Sequence, residues 1–174
     1  MNLLPADTPS SSTIHPWLLP FLLFFTVGSD QLSKSAARKI LPTLEEPEFF
    51  GGLLKFSLVE NYGGFLGIVS TWPSELRFFF LHICVAVLLA VCLVYLLWFA
   101  SRHSASSVAL TFITGGGISN LLDRLIRDGG VTDFIIVGAG PLQTGIFNGA
   151  DVYILFASFY LGFRLFRDSG KTSP

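Results

Sequence analysis

From Phe78 to Ala100 the chain runs for 23 residues without an Asp, Glu, Lys or Arg, and only His82 and Tyr95 interrupt its apolar character. A helix that crosses a hydrocarbon core needs roughly 20 mostly apolar residues, so this run constrains the fold more than any other feature. Composition agrees: 51% of residues are hydrophobic, 13% are charged, and the mean hydropathy is +0.63, values unsuited to a water-soluble domain. Three further segments are apolar with polar residues gathered toward one end, His15 to Leu41, Ala105 to Leu125 and Asp151 to Phe166. The economical expectation is an all-α polytopic membrane protein with four transmembrane helices, at about 15–41, 76–100, 105–125 and 151–166. Backbone polar groups must be satisfied inside hydrocarbon, which confines strands to whatever lies outside it, with residues 42–74 as an outer segment. Residues 1–14 and 168–174 are expected to be tails, the first disordered, and 15–167 a single membrane domain.

The first sixteen residues contain no Lys or Arg, which argues against a cleaved signal peptide and keeps the first helix in the mature chain. Cys84 and Cys92 fall about 12 Å apart along one helix, too far for a disulfide, and read as packing residues. A net charge of −1 gives no footprint for nucleic acid. With four spans, Arg102, Arg164, Arg167 and Lys171 share one side and Arg38, Lys39, Lys55, Arg77, Arg124 and Arg127 the other, so counting positive charges does not fix the orientation.

The polar residues sit at the ends of apolar helices. Asp30 and Lys34 are four apart with the acid first, the favoured order for an ion pair on one helix face. Leu53 to Glu60 partly alternates and suits a short strand or hairpin, and Asn61-Tyr62-Gly63-Gly64 after it reads as a turn. In the third helix, Gly115-Gly116-Gly117 would let neighbouring backbones approach, and Asn120, Asp123 and Arg124 share one face, either as an Arg–Asp clamp or as working groups. Asp133 is the single acid in the apolar stretch Val131 to Val137; burial would raise its pKa and Arg124 nearby would lower it. Asn148 is placed to N-cap the fourth helix, with Asp151 at its third position.

Ser-His-Asp chemistry lacks a suitable histidine, since His15 and His103 lie near the predicted cytoplasmic side and His82 in the early part of helix two, far in sequence from Asp123, Asp133 and Asp151, and no HExxH or Cys/His cluster suggests a metal. Two carboxylates remain, Asp133 and Asp151. When two share a confined site, one keeps a proton while the other draws a proton from an attacking water, which is the logic of aspartic proteases. Helix-terminal Asp151 suits the carboxylate and apolar-flanked Asp133 the acid.

Five blocks, taken in order, carry a resemblance. Asp30-Gln31-Leu32-Ser33-Lys34, Asn61-Tyr62-Gly63, Gly115-Gly116-Gly117-Ile118-Ser119-Asn120-Leu121-Leu122-Asp123-Arg124, Val131-Thr132-Asp133-Phe134 and Phe147-Asn148-Gly149-Ala150-Asp151 resemble those of the lipoprotein signal peptidases (signal peptidase II), over roughly residues 15 to 167. That resemblance implies four transmembrane helices in the bacterial cytoplasmic (inner) membrane, both termini cytoplasmic, and a small extracytoplasmic β-structured cradle with the active site on the outer side. It implies cleavage of diacylglyceryl-modified prolipoproteins before the lipidated lipobox cysteine, without metal or organic cofactor. Carried over, Asp133 and Asp151 are the catalytic dyad, Asn120, Asp123, Arg124 and Asn148 its supports, Asn61 and Gly63 substrate-binding residues, and Asp30 with Lys34 a brace for helix one. Partners are then prolipoproteins and membrane lipids, with the chain itself a monomer.

The chain departs from the usual pattern at Gly64-Phe65-Leu66, where two small residues and then Phe are common, at Ser119, where Gly is usual, and at Gly149, where an aliphatic residue is common. Three competing readings stay open: a divergent relative with a different substrate, a non-enzymatic scaffold that binds lipidated signal peptides, and a small ion-translocating protein using intramembrane Asp, Asn and Arg.

Overall fold

The computed structural model describes residues 17–64, 67–100 and 105–169. Phe65, Leu66, His15, His103, the expected tail at 1–14 and the last five residues lie outside the described residues.

Among the described residues are four long helices: α1 (Leu18–Ile40), α2 (Ser74–Trp98), α3 (Ala105–Ile126) and α4 (Gly149–Ser169). Of these, α2, α3 and α4 are long and apolar enough to cross a membrane. Helix α1 has 23 residues, but its second half carries Asp30, Lys34, Arg38 and Lys39, and it falls below that apolar standard. Burial is inverted relative to a soluble protein. The largest fully buried side chains are all polar, Lys34, Asn148, Asp30, Asp123 and Asp133 among them, whereas Phe24, Val91, Phe156 and Phe163 stand 60–77% exposed. A chain solvated by hydrocarbon puts apolar groups outside and must satisfy polar ones within the bundle.

Helix α3 is the hub, because its three consecutive glycines each face a different helix. A methyl group at Gly115 would lie 2.8 Å from Thr26 Cβ of α1, one at Gly116 would lie 2.8 Å from the Ala150 carbonyl oxygen of α4, and one at Gly117 would lie 2.6 Å from Leu89 of α2. Small residues at such crossings allow backbone-to-backbone packing. Within α2, residues Phe79–Cys84 form a π-helical turn. Cys84 and Cys92 are free thiols on this helix.

At one end of the bundle lies an antiparallel sheet of order β1-β2-β3-β4: β1 (Glu48–Phe49), β2 (Leu54–Asn61), β3 (Val131–Ala139) and β4 (Leu142–Gln143). The strand expected at Leu53 to Glu60 is β2; the sheet's longest strand comes from the apolar stretch after α3. Its register sets Val59 opposite Asp133 and Asn61 opposite Val131, with an irregularity between Phe56 and Val59. That pairing delivers Asp133 and Asn61 to the same end of the sheet, over the start of α4.

Candidate active site

The site is assembled from the ends of α1, α3 and α4 and from the β2–β3 pair. Lys34 of α1, fully buried, is its electrostatic centre. Its ammonium contacts Asp30 Oδ2 at 2.7 Å, Asp123 Oδ2 at 3.0 Å and Asn120 Oδ1 at 2.8 Å. Three donors on one nitrogen meet three oxygens, so this buried charge is satisfied. Asp123 also accepts from the Thr132 backbone N–H at 3.2 Å, from Gln31 Nε2 at 3.2 Å and from Arg127 Nε at 3.4 Å, which ties α3 to β3. The Arg–Asp clamp considered from sequence is therefore not the arrangement found: Asp123 pairs with Lys34 and Arg127. Arg124, among the described residues, has no carboxylate within ion-pair distance.

Lys34 also settles which way Asn120 points. Because Asn120 Oδ1 accepts from Lys34 and from Asn148 Nδ2 (3.1 Å), its Nδ2 must face the other way, and it donates to Asp151 Oδ1 at 3.0 Å. Asn148 N-caps α4: its Oδ1 accepts from the Asp151 N–H at 3.0 Å while Asp151 Oδ2 accepts from the Asn148 N–H at 3.2 Å, a reciprocal capping box. The Asn148 Nδ2 reaches onward to Asp133 Oδ1 at 2.7 Å. Asp133 Oδ2 accepts from Asn61 Nδ2 at 2.8 Å. The two carboxylates are thus joined through Asn148 and Asn120, and each accepts two hydrogen bonds.

Burial pushes the Asp133 carboxyl up to about 6, and the Asp151 charge pushes the same way, while the Asn61 and Asn148 hydrogen bonds and the Lys34 charge oppose it. Arg124 stands close enough for Coulombic interaction with both aspartates. Its Nε, like Nδ1 of His82, is buried without a hydrogen-bond partner among the described residues.

Asp133 forms part of the wall of a cavity of about 460 Å³, together with Asn61, Tyr62, Gly63, Arg77 and Ile146. Tyr62 and Arg77 also line an adjoining cavity of about 370 Å³ that holds His82 and Arg124. Gly63 is here because there is no room for a side chain: a Cβ would lie 2.8 Å from Gly67 Cα and from Ser70 Cβ. Its N–H donates to Asn61 Oδ1 at 2.9 Å, closing the turn that aims Asn61 at Asp133. Among the described residues, no group of three or more His, Cys, Asp or Glu is placed to hold a metal ion.

A family model described as signal peptidase (SPase) II matches residues 22–167. The chain belongs to that family. Similar proteins include the lipoprotein signal peptidase of Caldicellulosiruptor bescii, 32% identical over 151 residues that cover 86% of this chain and 91% of that one. The lipoprotein signal peptidase of Burkholderia cenocepacia is 32% identical over 156 residues, 88% of this chain and 89% of that one. A solved structure described as a bacterial membrane enzyme superposes with a TM-score of 0.73 at 23% identity, over 89% of this chain and 91% of that one, and bears on the fold alone.

The signal peptidase II match contains every residue of the network described above. The structure brings Asn61, Asn120, Asp133, Asn148 and Asp151 together, and places Asp30, Lys34 and Asp123 in a contiguous layer beneath them through Asn120. Sequence reasoning missed Gln31, whose Nε2 donates to the Ser119 carbonyl and hydroxyl and to Asp123. It also missed Thr132, whose hydroxyl accepts from Arg38 at 2.8 Å and donates to Glu60 at 3.0 Å. Gln31 follows Asp30 in an otherwise apolar helix, and that position was the available signal. Thr132, in a β-branched run, offered none.

Proposed function

We propose that this chain is an aspartate-dependent endopeptidase that removes signal peptides from diacylglyceryl-modified prolipoproteins at the lipobox cysteine, with Asp133 and Asp151 as its catalytic dyad. The observation that carries the reading is the shared amide frame: Asn148 and Asn120 hold two carboxylates in one network at the end of a membrane bundle, one of them on the wall of an open cavity. Membership of the signal peptidase II family supports the same substrate class.

In this mechanism Asp133 is the acid of the pair: burial raises its pKa to about 6, and the fraction that carries a proton hydrogen-bonds the scissile carbonyl oxygen. Asp151, at the positive end of the α4 dipole, takes a proton from a water held between the two acids. The hydroxide adds to the carbonyl carbon and the carbonyl oxygen takes the Asp133 proton. Collapse of the tetrahedral intermediate breaks the C–N bond, with the proton gathered by Asp151 passing to the leaving amine. Asp133 is reprotonated from the carboxylic acid product or solvent. Asn120 and Asn148 orient the pair, and Lys34 with Asp30 and Asp123 fixes Asn120. Asn61 holds Asp133 to the substrate turn, and Gly63 keeps the wall of the cleft free of side chains. Arg124, with unsatisfied donor capacity beside both acids, is the residue left to meet substrate oxygens.

The topology proposed with this function has α1 as the fourth span, both termini cytoplasmic in the bacterial inner membrane, and the sheet and dyad on the outer side, in a monomer. Support for α1 as a span comes from its charges: Asp30 and Lys34 are 1% and 0% exposed, so they face the bundle and not lipid.

The test is cleavage of a lipidated prolipoprotein by purified protein in detergent, with Asp133→Asn and Asp151→Asn compared at matched folding. The parent should cut before the lipidated cysteine, and each substitution should cost about a thousandfold or more. A folded parent that cuts none of several lipobox substrates overturns the reading and leaves the divergent-substrate and non-enzymatic ones.

A further inference from the structure

Asp30 touches none of the atoms assigned to chemistry, yet its carboxylate is spent on two other helices. Oδ1 accepts from the Ala150 backbone N–H at 2.8 Å, one of the orphan donors at the start of α4, immediately before Asp151. Oδ2 accepts from Lys34 at 2.7 Å and from the Ser119 hydroxyl of α3 at 2.8 Å, and Ser119 in turn accepts from Gln31 Nε2 at 3.0 Å. Asp30 and Ser119 are 1% and 0% exposed. On the opposite side, a Cβ at Gly149 would stand 3.0 Å from Asp30 Oδ1, tight enough to push the carboxylate away from the amide it caps. Ser119 and Gly149, two of the positions at which the motif blocks depart from their usual residues, therefore meet at the two oxygens of one side chain.

We propose that Asp30 is a positioning residue for Asp151, acting through the first turn of α4, and that Ser119 and Gly149 together set where its carboxylate stands. Ser119 pulls Oδ2 toward α3 and fixes the carboxylate plane. Gly149 leaves open the space that Oδ1 needs to reach Ala150. The Asp151 backbone is one residue beyond that amide, so a displacement of the cap moves the Asp151 carboxylate relative to Asp133. The two positions are coupled because both act on one rigid group. With the Ser119 hydroxyl removed, the carboxylate loses the tether that fixes its plane and can turn aside, and a methyl at position 149 then costs less than it does alone.

This inference rests on the proposed peptidase reading for its activity arm. Ser119→Ala, Gly149→Ala and the double variant, each checked for parent-like folding, are compared for kcat and KM on a lipidated prolipoprotein in detergent. Backbone hydrogen exchange is measured in parallel over residues 148–152. Each single change should lower kcat about tenfold with KM within about twofold. The double should sit near the single variants, about tenfold down and not a hundredfold, and Gly149→Ala should speed exchange at the Ala150 amide with little further increase in the double. Multiplicative losses in kcat, losses confined to KM, or exchange that Gly149→Ala leaves unchanged would each overturn it. If the parent itself does not cleave, the peptidase reading fails and the exchange arm still decides whether Asp30 holds α4 in the way described.

Discussion

Asp133 is a carboxylic acid kept at 2% exposure, with its pKa near 6 caused first by burial. In the unfolded chain the same group titrates near 3.9, so between those values the folded state binds the extra proton. An acid whose folded pKa is raised contributes stability that is complete below the unfolded pKa and is lost as pH rises through the folded one. For a difference of this size the loss is about 3 kcal/mol between roughly pH 4 and pH 7. Thermal unfolding in detergent should therefore show the parent losing stability across that window relative to Asp133→Asn, which has no proton to give up. Parallel curves for the two proteins would mean that Asp133 is not buried as described. The residue-scale features legible in the sequence were those with local signatures: the Asp30–Lys34 spacing and the Asn148 cap with Asp151 at the third position. The rest of Lys34's environment was not legible, because Asp123 and Asn120 reach it across a helix crossing about ninety residues away in the chain.

That crossing is an element-scale fact, and the three glycines of α3 rank its parts. At Gly116 the obstacle to a side chain is the Ala150 backbone oxygen, which cannot turn aside without moving α4, whereas at Gly117 it is the end of the flexible Leu89 side chain. Gly116→Ala should cost about 1–3 kcal/mol in detergent unfolding and reduce cleavage about tenfold, because the start of α4 carries Asp151. Gly117→Ala should cost under about 1 kcal/mol and leave cleavage nearly intact. Equal effects would show that α3 and α4 are not in backbone contact. The run of small residues announced close packing in the sequence, but which helix each glycine meets depends on the rotation of α3, which no local pattern encodes. Strand β3 was harder still. Its first four residues are buried on both faces, so the alternation that marked residues 53–60 is missing from it, and a continuous apolar β-branched run does not announce a pairing partner seventy residues earlier.

At the scale of the whole molecule, the polar interior and apolar exterior follow from the choice of hydrocarbon as solvent, and the placement of the sheet follows from the same rule, since strands with open edges are excluded from lipid. What positive-charge counting leaves undecided is which side the sheet faces. Helix α4 begins beside β3 and runs 21 residues, about 30 Å at 1.5 Å per residue, which matches the thickness of the hydrocarbon core. In the proposed topology its last turn lies across the membrane from β4. Leu142 of β4 is 84% exposed, and among the described residues Asp168 pairs at the surface with Arg164 and Arg167, contacts that contribute little to stability. With Cys84 and Cys92 replaced by Ala, a membrane-impermeant maleimide added to spheroplasts should label Leu142→Cys directly and should label Asp168→Cys only after lysis. The reverse pattern would place the dyad on the cytoplasmic face, where a lipidated precursor exposed on the outer surface could not reach it. Labelling of both from outside would mean that α4 does not cross. The outward sheet is the outcome the proposed function requires, because Asp133 and Asn61 belong to the same sheet as the reporter position, so the side that reagent reaches is the side from which substrate must enter.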